Sequence, residues 1–260
     1  MKKIFTLAVI CLTVMSLASC KNNKKAAEEP AAEEEGFIAM FDGETFNGWR
    51  GYAKENVPGA WVIEDGCIKI NGSGRGEAGA VDGGDIIYTT EVKNFEFTFE
   101  WKVAQGSNSG VFYMAKEIQR EDGSYLPIYY SAPEYQILDN ENHPDAKLGV
   151  DGNRQSASLY DMIPANPQNS KPFGEWNTGK IIVYKGTVVH YQNGEKVLEY
   201  HLWTPEWKAL VDASKFGEAG PCAEAYPYML KAEDDGTGFI GLQDHGDDVW
   251  YRNLKLKVLE

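Results

Sequence analysis

Three short polar clusters interrupt apolar runs where a buried core alone would have no use for them. Asn108-Ser109-Gly110 precedes Val111-Phe112-Tyr113. Glu134-Tyr135-Gln136-Ile137-Leu138-Asp139 runs into Asn140-Glu141-Asn142-His143-Pro144-Asp145. Gln243-Asp244-His245-Gly246 is followed by Arg252-Asn253. Glu134, Asp139 and His245 are the groups here that can move protons, histidine doing so nearest neutral pH. Asn108, Gln136, Gln243, His143 and Arg252 offer amide, imidazole and guanidinium groups that suit the hydroxyl and carbonyl oxygens of a sugar. Tyr160, and Trp176 within Phe173-Gly174-Glu175-Trp176-Asn177, lie in turn-rich segments where a ring can stack on a pyranose. Each also has a plain reading: an exposed strand with ordinary polar residues, a histidine closing a turn, a tryptophan in the core.

Spacing sharpens these roles. Glu134 and Gln136 stand two apart and share a face of a strand, whereas Asp139, five from Glu134, falls on the opposite face unless a bulge intervenes. The pattern is similar to the Glu-x-Asp-x-x-Glu signature of laminarinase-type glucanases, with Gln136 and Asp139 in place of its second and third carboxylates. A retaining glycosidase needs two carboxyl groups about 5 Å apart; losing one and shortening another argues against that mechanism. Asp139, Glu141, His143 and Asp145 alternate in the manner of metal ligands along a loop, yet Pro144 occupies the place where an EF-hand requires glycine. A divalent metal therefore stays open as a cofactor, and no other cofactor is expected. No Ser-His-Asp order, phosphate-cradling loop or Cys-x-x-Cys occurs.

The elements that must position these groups read as strands. Phe95, Phe97, Phe99, Trp101 and Val103 alternate with Glu96, Thr98, Glu100 and Lys102, the period of a strand with one buried face. Residues 180–203 carry β-branched and aromatic runs broken by Lys185-Gly186 and Asn193-Gly194, which predicts a three-stranded meander. Further short runs span 61–70, 86–90, 110–114, 134–138, 239–243 and 249–258. Only 205–215 has helical character, with Thr204 as N-cap and Pro205 at the first position. Many strands, turn-rich spacing and one short helix predict an all-β sandwich or jelly roll, in a single domain over residues 37–260.

Residues 1–19 read as an export signal, with Lys2-Lys3, an apolar core from Ile4 to Leu17, and Leu17-Ala18-Ser19-Cys20 resembling a lipobox in which Cys20 carries the lipid. Residues 20–36 form a tether too polar to pack. The expectation is an exported lipoprotein anchored to a membrane by its lipid, in the periplasm or at the cell surface. Cys67 and Cys222 remain in the domain, either paired or as free thiols. The formal charge of −14 offers no basic face for nucleic acid.

Taken in order, Phe41-Asp42-Gly43-Glu44-Thr45-Phe46-Asn47-Gly48-Trp49, Asn108-Ser109-Gly110-Val111-Phe112, Glu134 to Asp139, Gly241 to Gly246 and Tyr251-Arg252-Asn253 resemble the 3-keto-disaccharide hydrolase family, formerly a domain of unknown function. The resemblance covers residues 36–260. It implies a concanavalin-like jelly-roll sandwich and cleavage of glycosides already oxidised at C3. Such chemistry asks for a base at C2, donors at the ketone and an acid at the leaving group. Glu134 or His245 could be the base, with Arg252 and Gln136 or Gln243 as donors. The partner is then an oligosaccharide or glycoside substrate. The competing readings are a carbohydrate-binding lipoprotein without activity and a structural surface protein. The enzyme requires Glu134, Asp139 and His245 to converge in one cleft, the lectin an aromatic platform with few titratable groups.

Overall fold

The structure, a computed structural model, describes residues 35–76, 79–231 and 234–260. The export signal, Cys20 and the tether up to residue 34 lie outside the described residues. The strands among those described are β1 (Ile38–Ala39), β2 (Trp49–Gly51), β3 (Trp61–Glu64), β4 (Cys67–Ile70), β5 (Ile86–Tyr88), β6 (Phe95–Val103), β7 (Asn108–Ala115), β8 (Glu134–Leu138), β9 (Asn177–Tyr184), β10 (Thr187–Gln192), β11 (Glu195–His201), β12 (Phe239–Leu242) and β13 (Val249–Val258). They form two antiparallel sheets. One runs β11-β10-β9-β6-β13-β4-β3 with β1 also on β13, and the other β2-β5-β12-β7-β8. Packed face to face, they make a concanavalin-like jelly-roll sandwich. Helix α1 (Pro205–Ala213) begins where Thr204 Oγ1 accepts the Trp207 N–H at 3.1 Å, and α2 (Tyr226–Met229) is a single turn.

Alternation decides the core. The inward residues of β6, from Phe95 to Val103, are at most 2% exposed, and each such burial stabilises by about 1.5–3 kcal/mol. The β9-β10-β11 meander turns at Lys185-Gly186 and Asn193-Gly194, all four residues at positive φ between 49° and 84°. That geometry matches the twist of paired strands, and glycine takes it without steric cost. Across the sandwich, Phe99 meets Tyr135 edge to face at 5.3 Å between ring centres. His190 is wholly buried between the sheets, donating from Nδ1 to the Ala157 carbonyl (3.0 Å) and accepting at Nε2 from the Tyr113 hydroxyl (2.8 Å). Burial pushes its pKa down to about 4, so it is neutral at physiological pH. Cys67, buried in β4, and Cys222 are free thiols.

This packing orients the functional groups. Tyr135 and Ile137 of β8 lie in the inter-sheet core, so Glu134 and Gln136 must project from the outer face of the five-stranded sheet.

Candidate active site

A cleft of about 630 Å³ opens on that outer face, over β5, β12, β7 and β8. The same parity delivers its floor from four strands. Ile86 pairs with Leu242, so the flanking residues Asp85 and Gln243 meet, and the Asp244 N–H donates to Asp85 Oδ1 at 2.9 Å. Asn108 and Gly110 of β7 lie beside Glu134 and Gln136. Gly110 pairs with Gln136, and a Cβ on Gly110 would stand within 2.2 Å of Glu134 Oε1. Only glycine therefore lets the Glu134 side chain lie across β7.

Glu134 is 6% exposed, and no donor among the described residues bonds its carboxyl. Burial pushes its pKa up to about 8; the positive charges of Lys215 and His245 oppose the rise, and Asp85 and Asp145 add to it. At neutral pH it carries a proton. Asp85 is raised to about 7, first by burial, with the Asp244 N–H opposing the rise and the Asp244 carboxylate adding to it. Gln136 Oε1 accepts the Ile137 N–H at 2.9 Å, which leaves its amide nitrogen as donor. Asn108 Oδ1 and Gln243 Oε1 are buried with no partner among the described residues, a state that costs free energy until a ligand supplies a donor.

His245 stands where β12 ends. The preceding Asp244 carboxylate fastens the loop beneath it, accepting from the N–H groups of Ala80 (3.0 Å), Gly84 (2.7 Å) and Gly246 (2.9 Å). His245 Nδ1 lies 3.7 Å from Asp247 Oδ2, and Asp247 in turn accepts the Asn108 N–H at 3.0 Å. His143 approaches His245 edge-on at 5.7 Å. Burial and then the charge of His245 depress the His143 pKa. One ligand atom from each of His143, His245 and Asp247 falls within 4.8 Å of the others, and two imidazoles with one carboxylate could hold a divalent transition metal. His143 Nδ1, however, accepts the Asp145 N–H at 3.1 Å. A neutral imidazole accepting there carries its proton on Nε2, so a metal at Nε2 requires that cap to be released.

The far wall of the cleft is a network with no sequence signature. Arg154 joins Asp145 (2.8 Å) to Asp161 (2.6 Å). Tyr160 lines the cleft and donates its hydroxyl to Asp145 at 2.9 Å; burial, then the charges of Glu134 and Asp145, raises its pKa far above the usual phenol range. Lys215, Tyr129 and Cys222 complete this side.

Three sequence expectations need correction. Asp139 does not join Glu134: β8 is regular through Leu138, so parity sends Asp139 elsewhere. Its carboxylate accepts from the N–H groups of Gly106 (2.9 Å), Glu141 (3.1 Å) and Asn142 (3.3 Å) and from Asn142 Nδ2 (2.7 Å). Burial works to raise its pKa, and these bonds outweigh it and hold the group below the usual range. It fixes a turn. Arg252 and Trp176 lie on the outer face of the large sheet, because the neighbouring Tyr251 is the inward residue of β13. There Arg252 bonds Glu100 at 2.8 Å and stacks on Trp176 at 4.1 Å. Conversely, Asp85, Asp247, Arg154 and Lys215 escaped the sequence reading. Asp85 alone had a signal, as a carboxylate one step before a strand.

Similarity to known proteins agrees with this geometry. Over the full length of both chains, the protein is 54% identical to a 3-keto-disaccharide hydrolase of Bacteroides thetaiotaomicron. A solved Parabacteroides distasonis structure, provisionally described as a glycosyl hydrolase, superposes with a TM-score of 0.68 at 26% identity, covering 87% of this chain and 95% of its own. A second from that organism, at 24% identity and a TM-score of 0.60, covers 86% and 99% and shares the fold. With residues 36–257 matching the family described as the 3-keto-alpha-glucoside-1,2-lyase-like domain, the chain belongs to that family.

Proposed function

We propose that this carbohydrate-active, glycoside-cleaving enzyme acts on 3-keto-glucosides, with His245 as base and Glu134 as acid. The observation that carries the reading is one cleft holding a buried carboxyl that keeps its proton at neutral pH and an imidazole beside a carboxylate. The Asp247 carboxylate, 3.7 Å from Nδ1, stabilises the imidazolium that forms when His245 takes a proton. A ketone at C3 acidifies the C2–H bond. His245 takes that proton, the C–H pair forms C2=C3, and the carbonyl π pair moves to O3. The pair then returns from O3, C1=C2 forms, and the C1–O1 bond breaks with its electrons on O1, which takes the Glu134 proton. Water adds in the reverse order: the Glu134 carboxylate removes its proton as oxygen bonds C1, and His245 returns a proton to C2. The sum is hydrolysis, and both residues end as they began. Gln136 as donor, with Asn108 and Gln243 as acceptors, supports holding the sugar hydroxyls.

The test is incubation with a panel of 3-keto-glucosides and their unoxidised parents, followed by NMR for the unsaturated ketone and the free sugar. Turnover of keto substrates alone supports the assignment. Sugar binding without any turnover would favour the binding-protein reading. The export reading stands as a companion proposal, in which lipid on Cys20 tethers the domain to a membrane.

A further inference from the structure

The reaction above builds negative charge on O3, and neither His245 nor Glu134 stabilises it there. Lys215 does not share the carboxylate pairing that fixes Arg154. No carboxylate among the described residues lies within 4 Å of its ammonium, which stands over the Tyr160 ring at 4.4 Å and 5.3 Å from that of Tyr129. Both rings and Lys215 line the same cleft as Glu134, and of all charges Lys215 acts most strongly on the Glu134 carboxyl. Its backbone is held at both ends: the N–H donates to Asp161 Oδ2 at 2.7 Å, and the carbonyl accepts the Cys222 N–H at 2.9 Å. Because Asp161 also grips Arg154, the lysine is fixed to the cleft wall while its charge is left to the cleft.

The geometry points to Lys215 as the electrophilic catalytic residue of this enzyme, its ammonium donating a hydrogen bond to the ketone oxygen at C3 and holding the oxyanion formed when C2 loses its proton. No bond to the lysine forms or breaks and no proton leaves it. Aromatic faces stabilise the cation without neutralising it, as a carboxylate would. A donor fixed before the reaction gains most where charge develops, and removing one such donor commonly costs about 10²–10³ in rate. The inference rests on the elimination reading proposed above.

The experiment separates the two. A 3-keto-1,5-anhydroglucitol has no leaving group, so its C2–H exchange in D₂O reports base and oxyanion donor without Glu134. Wild-type enzyme should exchange this proton; Lys215→Met should slow exchange and kcat on a 3-keto-glucoside by about 10² or more, with KM nearly unchanged. Lys215→Arg should restore a large part of both rates, and the melting temperatures should agree closely. Wild-type turnover without any exchange would refute the elimination reading, and Lys215 with it. Exchange in Lys215→Met at the wild-type rate would overturn the role of Lys215 and leave the elimination reading standing. A substrate adduct trapped on Lys215 by cyanoborohydride would also overturn it, since it would show imine chemistry. If Lys215→Met does not fold, Lys215→Gln with the same exchange assay decides.

Discussion

Glu134→Gln keeps the size of the side chain and its neutrality at pH 7 while removing its proton chemistry. With a pKa near 8, about 90% of Glu134 is protonated at pH 7. If it is the acid, turnover of a substrate with an alcohol leaving group should fall by about 10² or more with binding largely kept. A substrate with an activated aryl leaving group needs little protonation and should lose far less. The wild-type rate should decline as pH rises through 8, and the variant should lack that limb. Stability supplies an independent measure. The folded pKa lies above the unfolded value of 4.5, so between about pH 4.5 and 8 the folded state binds more protons than the unfolded chain. Stability therefore falls as pH rises through that window. A shift from 4.5 to about 8 corresponds to a ceiling of roughly 5 kcal/mol. At pH 9 the variant should be the more stable protein by a few degrees in Tm, and at pH 4 the two should nearly coincide. Equal losses on both leaving groups would refute the acid role, and parallel Tm profiles of variant and wild type would refute the raised pKa.

Other outcomes are expected from the same geometry. Gly110→Ala should abolish most turnover without unfolding the domain, because the methyl displaces the Glu134 carboxyl; kinetics beside circular dichroism checks it. The folded pKa of His190 lies below its unfolded value of 6.5, so its contribution is lost as pH falls from about 6.5 to 4. Thermal melts should decline across that range by an amount equivalent to about 3 kcal/mol. Zinc or nickel should inhibit by competing for His245, reversibly with chelator and less in Asp247→Asn; a chelated enzyme that regains activity only with added metal would contradict this. Cys20→Ser should lose incorporation of labelled palmitate and membrane partitioning in the native host.

Where alternation and turn chemistry are local, the sequence was a sufficient guide. The β6 pattern, the two glycine hairpins of the meander, the Thr204-capped helix and the sandwich class all follow from periods and propensities that each segment carries alone. So did Glu134, Gln136, Asn108, Gln243 and His245 as lining residues, since polar groups interrupting apolar runs have no place in a core. The opening motif proved to be architecture: Asp42 closes its turn by accepting from Glu44 and Thr45, and Trp49 Nε1 donates to the Met40 carbonyl. What needed tertiary structure was which face of which sheet each strand presents. Arg252 and Trp176 belong to the other sheet's outer surface, and Asp139 is claimed by the turn it closes. Lys215, Arg154 and Asp85 enter the cleft through contacts between segments far apart in the chain. The raised pKa of Glu134 could not be read from its neighbours in sequence, because desolvation is a property of the assembled fold. It is this burial that keeps the Glu134 carboxyl protonated at neutral pH, the observation on which its proposed role as acid rests.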